Sequence, residues 1–277
     1  MKNFKERSYD CHSITSITTK CLARFIRQCT IALYVFTFSL SPAFADANDL
    51  YQASIINAAL HQFLFSPRPL KVLTGNKVTV VTYADEEDYQ LSDTHARDVL
   101  WVVVDSELKD ICSRYTKNKK KITHQELSSW LAQLLGIPLD PNGKRRLIVF
   151  RVPVIQAFYG RKPKKIGIFR PCTDPRVSAH DDRTIACPQF MDTENKKISP
   201  EYKTWFINNS ISSYTLRKDS QGFPWSEFGY TYNWNPKAKD IYGVSEFVIL
   251  QGTPLRVLSN PYHPTTAYLT PEEYCRY

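Results

Sequence analysis

The segment FGYTYNW, in the last quarter of the chain, carries an aromatic residue at every second position. Side chains two positions apart share one face of a strand. An aromatic face can hold a sugar ring or a planar ligand, but it is more often core, because aromatic side chains supply much of the burial energy. We predict that this face either lines a cleft beside Glu246 or lies under a helix at 200–217. The ligand-binding residues predicted in the first case are Trp225, Tyr230, Tyr232 and Trp234.

Glu246 precedes an apolar run in the segment YGVSEFVILQGTPLRV. A carboxylate at such a position usually begins a strand and faces solvent. The segment also resembles a strand of the ADP-ribosyltransferases, in which a Glu precedes an apolar run, a turn containing Gly-Thr and a second strand. The Glu of that family holds the nicotinamide-ribose hydroxyl and stabilises the oxocarbenium-like state formed as nicotinamide leaves. The resemblance therefore implies NAD as substrate and Glu246 as the catalytic carboxylate.

The order of residues in the same family implies two further members of this site. An Arg at the end of an early strand comes first, and a strand bearing Ser or Thr lies between that Arg and the Glu. Arg151 in LIVFRV and Thr231 in YTY fit these two places. The resemblance thus implies that Arg151, Thr231 and Glu246 meet in one open cleft.

Other catalytic or metal-binding signatures are weak or missing in the sequence. It has no G-x-S-x-G, H-E-x-x-H, P-loop or G-x-G-x-x-G motif. One polar loop groups the residues Asp174, His180, Asp181 and Asp182. Oxygen ligands of this kind can bind a divalent cation, but a hydrophilic surface loop explains them as well. We predict no metal site, and the sequence identifies no cofactor.

Residues 1–45 have the three regions of an export signal. A basic region precedes the apolar run IALYVFTFSL, and SPAFA follows with small residues at the cleavage positions. The alternative is an uncleaved membrane anchor, but a spanning helix needs about 20 apolar residues, and this run is shorter and ends at Pro42. We predict cleavage after Ala45 and a periplasmic or secreted protein that is not transmembrane after cleavage.

Export changes how the cysteines are interpreted. Four of the seven follow the predicted cleavage site: Cys112, Cys172, Cys187 and Cys275. An even number in an oxidising compartment predicts two disulfides, with three pairings to choose from. Cys172 and Cys187 flank the polar loop TDPRVSAHDDRTIA, which a local bridge would close, so we predict that Cys112 pairs with Cys275. A zinc site is disfavoured, because no C-x-x-C pair is present.

The predicted mature chain is mildly basic. Residues 1–45 hold six Lys/Arg and two Asp/Glu, so 30 of the 36 basic and 25 of the 27 acidic residues remain, a net charge of +5. The basic clusters are KNKKK, GKRR and RKPKK. They are typical of solvated turns. If they converge in space, envelope polymers or an anionic lipid surface are better partners for them than nucleic acid.

The elements that would position these residues alternate between helices and strands. Predicted helices cover 49–65 and 123–135, and a third begins at 199–200. The helix at 123–135 has a capping box of Thr123 and Glu126 and ends at Gly136. The predicted strands lie in KVLTGNKVTVVTYA, RDVLWVVVDSEL, LIVFRVPVIQAFY, KIGIFRP, FGYTYNW and SEFVILQGTPLRVL, the first as a hairpin around a Gly-Asn turn.

Residues 46–277 are therefore predicted to be a single α+β domain with a mainly antiparallel sheet and about three helices, stabilised by disulfides. The segments QLLGIP, FRPCTDP, GFPWSEFGYTYNW and YGVSEFV also resemble uncharacterised exported bacterial proteins. That resemblance implies export and one compact domain, and implies no reaction. Our leading hypothesis is an exported binding or assembly component of the cell envelope. The alternative is an exported enzyme resembling the ADP-ribosyltransferases, with Glu246 as its catalytic carboxylate.

Overall fold

An antiparallel sheet organises the part of the chain that the structure describes. The structure is a computed structural model, and it describes residues 46–60, 70–85, 88–117, 119, 121–155, 157, 165–172, 200–216 and 222–276. The predicted export signal, Cys187 and the loop with Asp174 and His180 lie outside these residues. None of the helices in these ranges combines the length and the apolar character that a membrane span requires.

Within the described ranges, eight strands make up this sheet. They are β1 (Lys77–Asp85), β2 (Leu100–Val104), β3 (Arg145–Pro153), β4 (Ile168–Phe169), β5 (Tyr230–Tyr232), β6 (Tyr242–Ile249), β7 (Arg256–Val257) and β8 (Tyr268–Leu269). Their order is β4-β6-β2-β1-β3-β7, with β5 paired to β6 and β8 paired to β3. Every pairing is antiparallel. The prediction of an α+β domain with a mainly antiparallel sheet is confirmed.

Five helices lie in the described residues, rather than the three or so predicted. They are α1 (Ala47–Ala59), α2 (Asp105–Lys117), α3 (His124–Leu135), α4 (Pro200–Ser213) and α5 (Pro271–Arg276). The capping box of α3 is formed as predicted by Thr123 and Glu126, and Gly136 ends the helix with a φ of 73°. The helix α2 was not predicted, because the segment that follows β2 was interpreted as the continuation of a strand.

One expected hairpin is not present. Residues 71–76 are not in a strand, and β1 begins directly after the Gly-Asn turn, at Lys77. The partners of β1 are β2 and β3, which come later in the chain. The β-branched pattern after the turn therefore predicted the strand correctly, but it could not identify the partner strands.

The two faces of the sheet are covered differently. Directly opposed residues of an antiparallel pair share a face, so Glu246, Val103, Val81 and Val149 lie in one row across β6, β2, β1 and β3. Three helices pack on the face that carries this row, α2, α3 and α5. The opposite face packs largely against residues from connecting segments, such as Tyr89 and Ala96.

A disulfide joins two of the helices on the helix-covered face. Cys112 in α2 is bonded to Cys275 in α5, with a Cα–Cα distance of 5.2 Å. The predicted pairing of these two residues is confirmed. Cys172 is also disulfide-bonded, but its predicted partner Cys187 lies outside the described residues, so that pairing stays a prediction.

Candidate functional site

A cavity lies on the helix-covered face of the sheet, where α3 ends. Its volume is about 80 Å³. The residues that line it are Val81, Thr82, Tyr83, Trp101, Val102, Val103, Leu135, Ile137, Thr231 and Glu246. We call it the Glu246 cavity. It combines a largely apolar wall with one carboxyl group.

Glu246 lies at a seam between two cores. Val244, two residues before it, packs with the cluster around α2, α3 and α5. Val248, two residues after it, packs with Trp225 and the residues of α4. Since side chains two apart on a strand share a face, Glu246 projects from β6 between these two clusters. The seam is where the cavity forms.

The carboxyl group of Glu246 is buried and incompletely bonded. Glu246 is 9% exposed. Its Oε2 atom has no hydrogen-bond partner among the described residues. Burial raises the pKa of the carboxyl group, and the nearby indole of Trp225 offsets only part of that rise, since neither Trp225 Nε1 nor Glu246 Oε2 has a hydrogen-bond partner among the described residues. The backbone of Glu246 is satisfied, because its N–H donates to the carbonyl of Gly229 at 2.8 Å.

Burial dominates the ionisation of this group. It raises the pKa of Glu246 well above the usual 4.5, because a charge in an apolar wall loses its hydration. The neutral acid, which this favours, can donate one hydrogen bond and accept others. The ionised form would need a cation in the cavity. The site can therefore hold either a hydrogen-bonding group or a positively charged one.

Thr231 shares this cavity, but its hydroxyl group is already engaged. Its Oγ1 donates to the carbonyl of Leu134 at 2.7 Å and accepts from the N–H of Val244 at 3.0 Å. The residue thus fixes the end of α3 to β5 and β6. Thr231 contributes to the wall of the cavity, and both of its hydroxyl bonds are structural.

Arg151 does not line the Glu246 cavity. It lies on β3, opposite Thr79 of β1 and Arg256 of β7, and it is exposed. Two strands, β1 and β2, separate β3 from β6, and neighbouring strands are about 4.8 Å apart. The structure therefore brings together two of the three residues implied by the resemblance to the ADP-ribosyltransferases, Glu246 and Thr231.

The aromatic face of FGYTYNW is buried under α1. Phe228, Tyr230, Tyr232 and Trp234 lie in one cluster with Tyr51, Ile55 and Ala58 of that helix. Tyr51 meets Trp234 edge to face, with ring centroids 5.3 Å apart. The residues pack as a core, although the covering helix is α1 and not the one at 200–213. Trp225 is also buried, but in a different cluster, where its ring packs against Phe206 of α4.

The polar atoms of this aromatic core terminate α3. Trp234 Nε1 donates to the carbonyl of Ile137 at 2.9 Å, and the backbone N–H of Trp234 donates to Gln133 at 3.1 Å. The hydroxyl of Tyr51 donates to Gly136 at 3.4 Å. The last carbonyls of a helix have no partner within it. Trp234 and Tyr51 thus supply donors from two separate parts of the chain and fix the helix end that borders the Glu246 cavity.

A second candidate site is an open groove between α2, α3 and the segment after β5. The rings of Tyr115 and Trp130 are stacked there, with centroids 4.0 Å apart and planes at 9°. The groove has a volume of about 610 Å³ and includes Arg114, Tyr115, Lys119, Trp130, Asn233, Asn235, Lys237, Lys239 and Asp240. We call it the basic groove. A neighbouring groove of about 330 Å³ shares Tyr115, Trp130 and Asn235 with it.

Basic side chains surround the stacked pair. Lys119 Nζ lies 4.2 Å from the centroid of the Tyr115 ring and donates to its hydroxyl at 2.7 Å. Lys237 and Lys239 form no ion pair with any residue that the structure describes. Lys119 belongs to the basic cluster KNKKK, but neither Tyr115 nor Trp130 was predicted as a site residue. The available signal was α2, whose last turn places Tyr115 two residues before that cluster.

Metal ligands do not gather in the described ranges, which contain no group of three or more His, Cys, Asp and Glu suited to an ion. Comparisons with family models, with curated proteins and with solved structures found no match for this chain. Function must therefore be inferred from the two sites themselves.

Proposed function

We propose that this protein is exported, is stabilised by disulfides, and acts as a binding component of the cell envelope that holds an anionic polymer in the basic groove. The observation that carries the proposal is the stacked Tyr115–Trp130 pair in an open groove with basic walls. The Cys112–Cys275 bond supports the compartment, because disulfides persist mainly in oxidising environments.

The charges that line the basic groove determine the sign of the charge that a ligand should carry. Four basic residues line the groove and one acidic residue opposes them: Arg114, Lys119, Lys237 and Lys239 against Asp240. Clefts lined by one sign of charge concentrate ligands of the opposite sign. The amide side chains of Asn233 and Asn235 in the same wall suit hydroxyl groups. An anionic saccharide matches this combination.

Shape favours a polymer over a small molecule. A groove of about 610 Å³ has the size of a typical ligand site, but a second groove of about 330 Å³ adjoins it and shares the residues Tyr115, Trp130 and Asn235. A polymer presents the same unit repeatedly, so it can occupy both grooves across the aromatic pair. A lipid surface would be met by the tips of the basic side chains and would not need the two grooves.

The test measures binding of residues 46–277 to polygalacturonate, a polyanion of sugar rings, by isothermal titration calorimetry. We expect replacement of Lys237 and Lys239 together by Gln to weaken binding about tenfold, since this removes two charges from one wall of the groove. Replacing Trp130 by Leu removes the ring and is expected to weaken binding further. Binding to the wild-type chain should fall as salt is added.

The matched control replaces Lys77 and Lys203 by Gln. Both are exposed, on β1 and α4, and neither lines the groove. The same net charge is removed, so binding should stay within about twofold of wild type. Equal losses in the two double variants would indicate attraction to overall charge and contradict the groove. Binding to phosphatidylglycerol vesicles without binding to the polymer would overturn the choice of partner.

A transferase is the second candidate, and it is favoured by one observation, the presence of Glu246 and Thr231 in the same cavity. The cavity of about 80 Å³ is small beside the roughly 300–1,000 Å³ of sites for larger ligands, and Arg151 lies elsewhere. Hydrolysis of NAD by the purified chain, lost in Glu246→Gln, would support this candidate. No hydrolysis above the Glu246→Gln background would exclude it in favour of binding.

A further inference from the structure

We propose that the Glu246 cavity is a binding site for a small organic ammonium group, which pairs with the carboxylate of Glu246 while its alkyl part contacts the apolar wall. The inference does not depend on the basic groove, which involves other residues. It rests on the composition of the cavity wall, on the hydrogen bonds already made within it, and on the burial of one carboxyl group.

The polar capacity of the cavity is concentrated on Glu246, because the alternation along β1 turns the side chain of Thr82 to the opposite face of the sheet, with Val80 and Ile148. The hydroxyl of Tyr83 is bonded to Ser128 Oγ at 2.6 Å. The hydroxyl of Thr231 has both a donor and an acceptor role filled, with Leu134 and Val244. By contrast, Glu246 Oε2 is buried and has no partner among the described residues. A polar ligand in this cavity would therefore be recognised by the carboxyl group.

The ligand must supply the positive charge. No Lys, Arg or His is among the residues that line the cavity, so within the described chain the carboxylate has no cation facing it there. A buried charge is tolerated when it is paired, and is otherwise avoided by taking up a proton. Burial, which raises the pKa of Glu246, favours the protonated acid when no cation faces it. An ammonium group would replace that proton as the compensating charge.

The remaining walls suit the carbon part of such a ligand. Val81, Val103, Leu135 and Ile137 provide aliphatic surface. Trp101 adds an indole ring, and a tryptophan face attracts ammonium groups. The volume of about 80 Å³ exceeds the roughly 10–15 Å³ needed for one water, and a dry cavity of about 150 Å³ is known to bind benzene. A chain of a few carbons is therefore the appropriate size.

Pairing with an ammonium group has a signature that apolar binding lacks. The ligand binds the ionised carboxylate, so below the folded pKa of Glu246 its binding should release a proton from that group. Affinity should then rise from acidic to mildly alkaline pH, through that folded pKa, as the proton competes less. Tyr83 is the other titratable group in the described wall, and burial raises its pKa above 10, so it stays neutral over this range. A neutral ligand of the same shape should show no such dependence.

The experiment compares propylammonium with propanol, which has a similar size and no charge, as ligands of residues 46–277. Thermal unfolding and calorimetry are recorded at about pH 6 and about pH 8. We expect propylammonium to bind at least about tenfold more tightly than propanol at the higher pH, to bind more tightly there than at the lower pH, and to release protons at the lower pH.

Glu246→Gln is the matched variant, because it keeps the shape of the side chain and removes the charge. We expect the variant to fold and to lose the preference for propylammonium. Equal binding of the two ligands, or an unchanged preference in Glu246→Gln, would overturn the proposal and leave an apolar cavity. No binding of either ligand would also overturn it and identify a cavity occupied by water only. A Glu246→Leu variant that binds propanol alone would further support the pairing.

Discussion

Two glutamates are buried near β5, and the protein uses them in opposite ways. Glu227, 3% exposed, accepts hydrogen bonds from Ser210 at 2.5 Å and from Tyr214 at 3.1 Å. Glu246 is 9% exposed, and no described residue donates a hydrogen bond to its Oε2 atom. The first carboxylate connects α4 to the segment that leads into β5. The second borders a cavity, and the difference shows that burial alone does not define a structural role.

The backbone supports this distinction. Glu227 has a φ of 60°, which non-glycine residues seldom adopt. Such a conformation costs about 1 kcal/mol or more and persists only where surrounding contacts fix it. The two hydroxyl donors from the end of α4 provide such contacts. Glu246 lies in the regular strand β6 and carries no comparable constraint, so its side chain can be changed without displacing the backbone.

The largest loss of stability is expected for Glu227→Ala. The variant removes the charged acceptor of the short Ser210 hydrogen bond and leaves that hydroxyl without an acceptor, whereas the Tyr214 hydroxyl keeps the carbonyl of Trp225 at 2.8 Å. Since hydrogen bonds to charged groups are the stronger ones, the free energy of unfolding should fall by about 3 kcal/mol. Urea denaturation measures the change. Glu227→Gln keeps one acceptor oxygen and should lose only about 1 kcal/mol. A loss below about 1 kcal/mol for the Ala variant would remove the structural role that the comparison assigns to Glu227.

A smaller effect is expected for Thr231→Val, in the wall of the Glu246 cavity. The change removes the hydrogen bond to Leu134 and the acceptor for Val244, and the free energy of unfolding should fall by about 2 kcal/mol. Thr231→Ser keeps the hydroxyl and serves as the control, with a loss of about 1 kcal/mol or less. If both variants are equally stable, the hydroxyl is not needed to fix α3 to the sheet.

The smallest change in stability is expected for Glu246→Gln. At about pH 5, its free energy of unfolding should lie within about 0.5 kcal/mol of the wild-type value. Burial raises the folded pKa of Glu246 above 4.5, so the folded chain keeps a proton that the unfolded chain releases. The stability that the wild type draws from this proton is full below the unfolded pKa and is lost as the pH rises through the folded pKa. Gln does not titrate, so the variant should gain relative stability over that window.

The measurement for this prediction is a series of urea denaturation curves for both proteins as a function of pH. Each tenfold difference between the proton affinities of the folded and unfolded states contributes about 1.4 kcal/mol to the relative gain. A relative stability that does not change with pH would show that Glu246 is hydrated or paired in the folded protein. It would therefore remove the contrast with Glu227.

Local patterns in the sequence were sufficient for some elements. The capping box of Thr123 and Glu126 and the terminating Gly136 involve residues close in sequence, and the helix between them was predicted within one residue. The disulfide between Cys112 and Cys275 followed from cysteine count and loop closure. The α+β class followed from the mixture of periodicities. The helix and the fold class depend on residues close in sequence, whereas the disulfide is a distant contact that the small number of cysteines made predictable.

The Glu246 cavity could not be predicted in the same way. Its walls come from β1, β2, β5, β6 and the end of α3, and their register depends on pairings between strands far apart in sequence. No spacing shows that Val103 lies opposite Glu246, or that β1 pairs with β3 instead of forming a local hairpin. The resemblance drew attention to Glu246, for which an open cleft or a solvent-facing position was expected, and it could not indicate that the side chain is buried beside a small cavity.

The aromatic segment illustrates a limit of periodicity. Alternation predicted one strand face for Phe228, Tyr230, Tyr232 and Trp234. All four lie in one buried cluster, although the strand itself covers only Tyr230–Tyr232. It could not identify the covering element, which is α1, at the other end of the described chain. Nor could it show that Trp234 bonds to the end of α3. A face is a local property, whereas its partner depends on the complete fold.

The bond between Cys112 and Cys275 spans a sequence separation of 163 residues, so more than half of the chain belongs to a covalent ring. A protease that cuts once inside this ring cannot release either fragment. The nicked protein would migrate as one band on a non-reducing gel and would separate into two only after reduction. A chain damaged once in this region would therefore keep all its parts together.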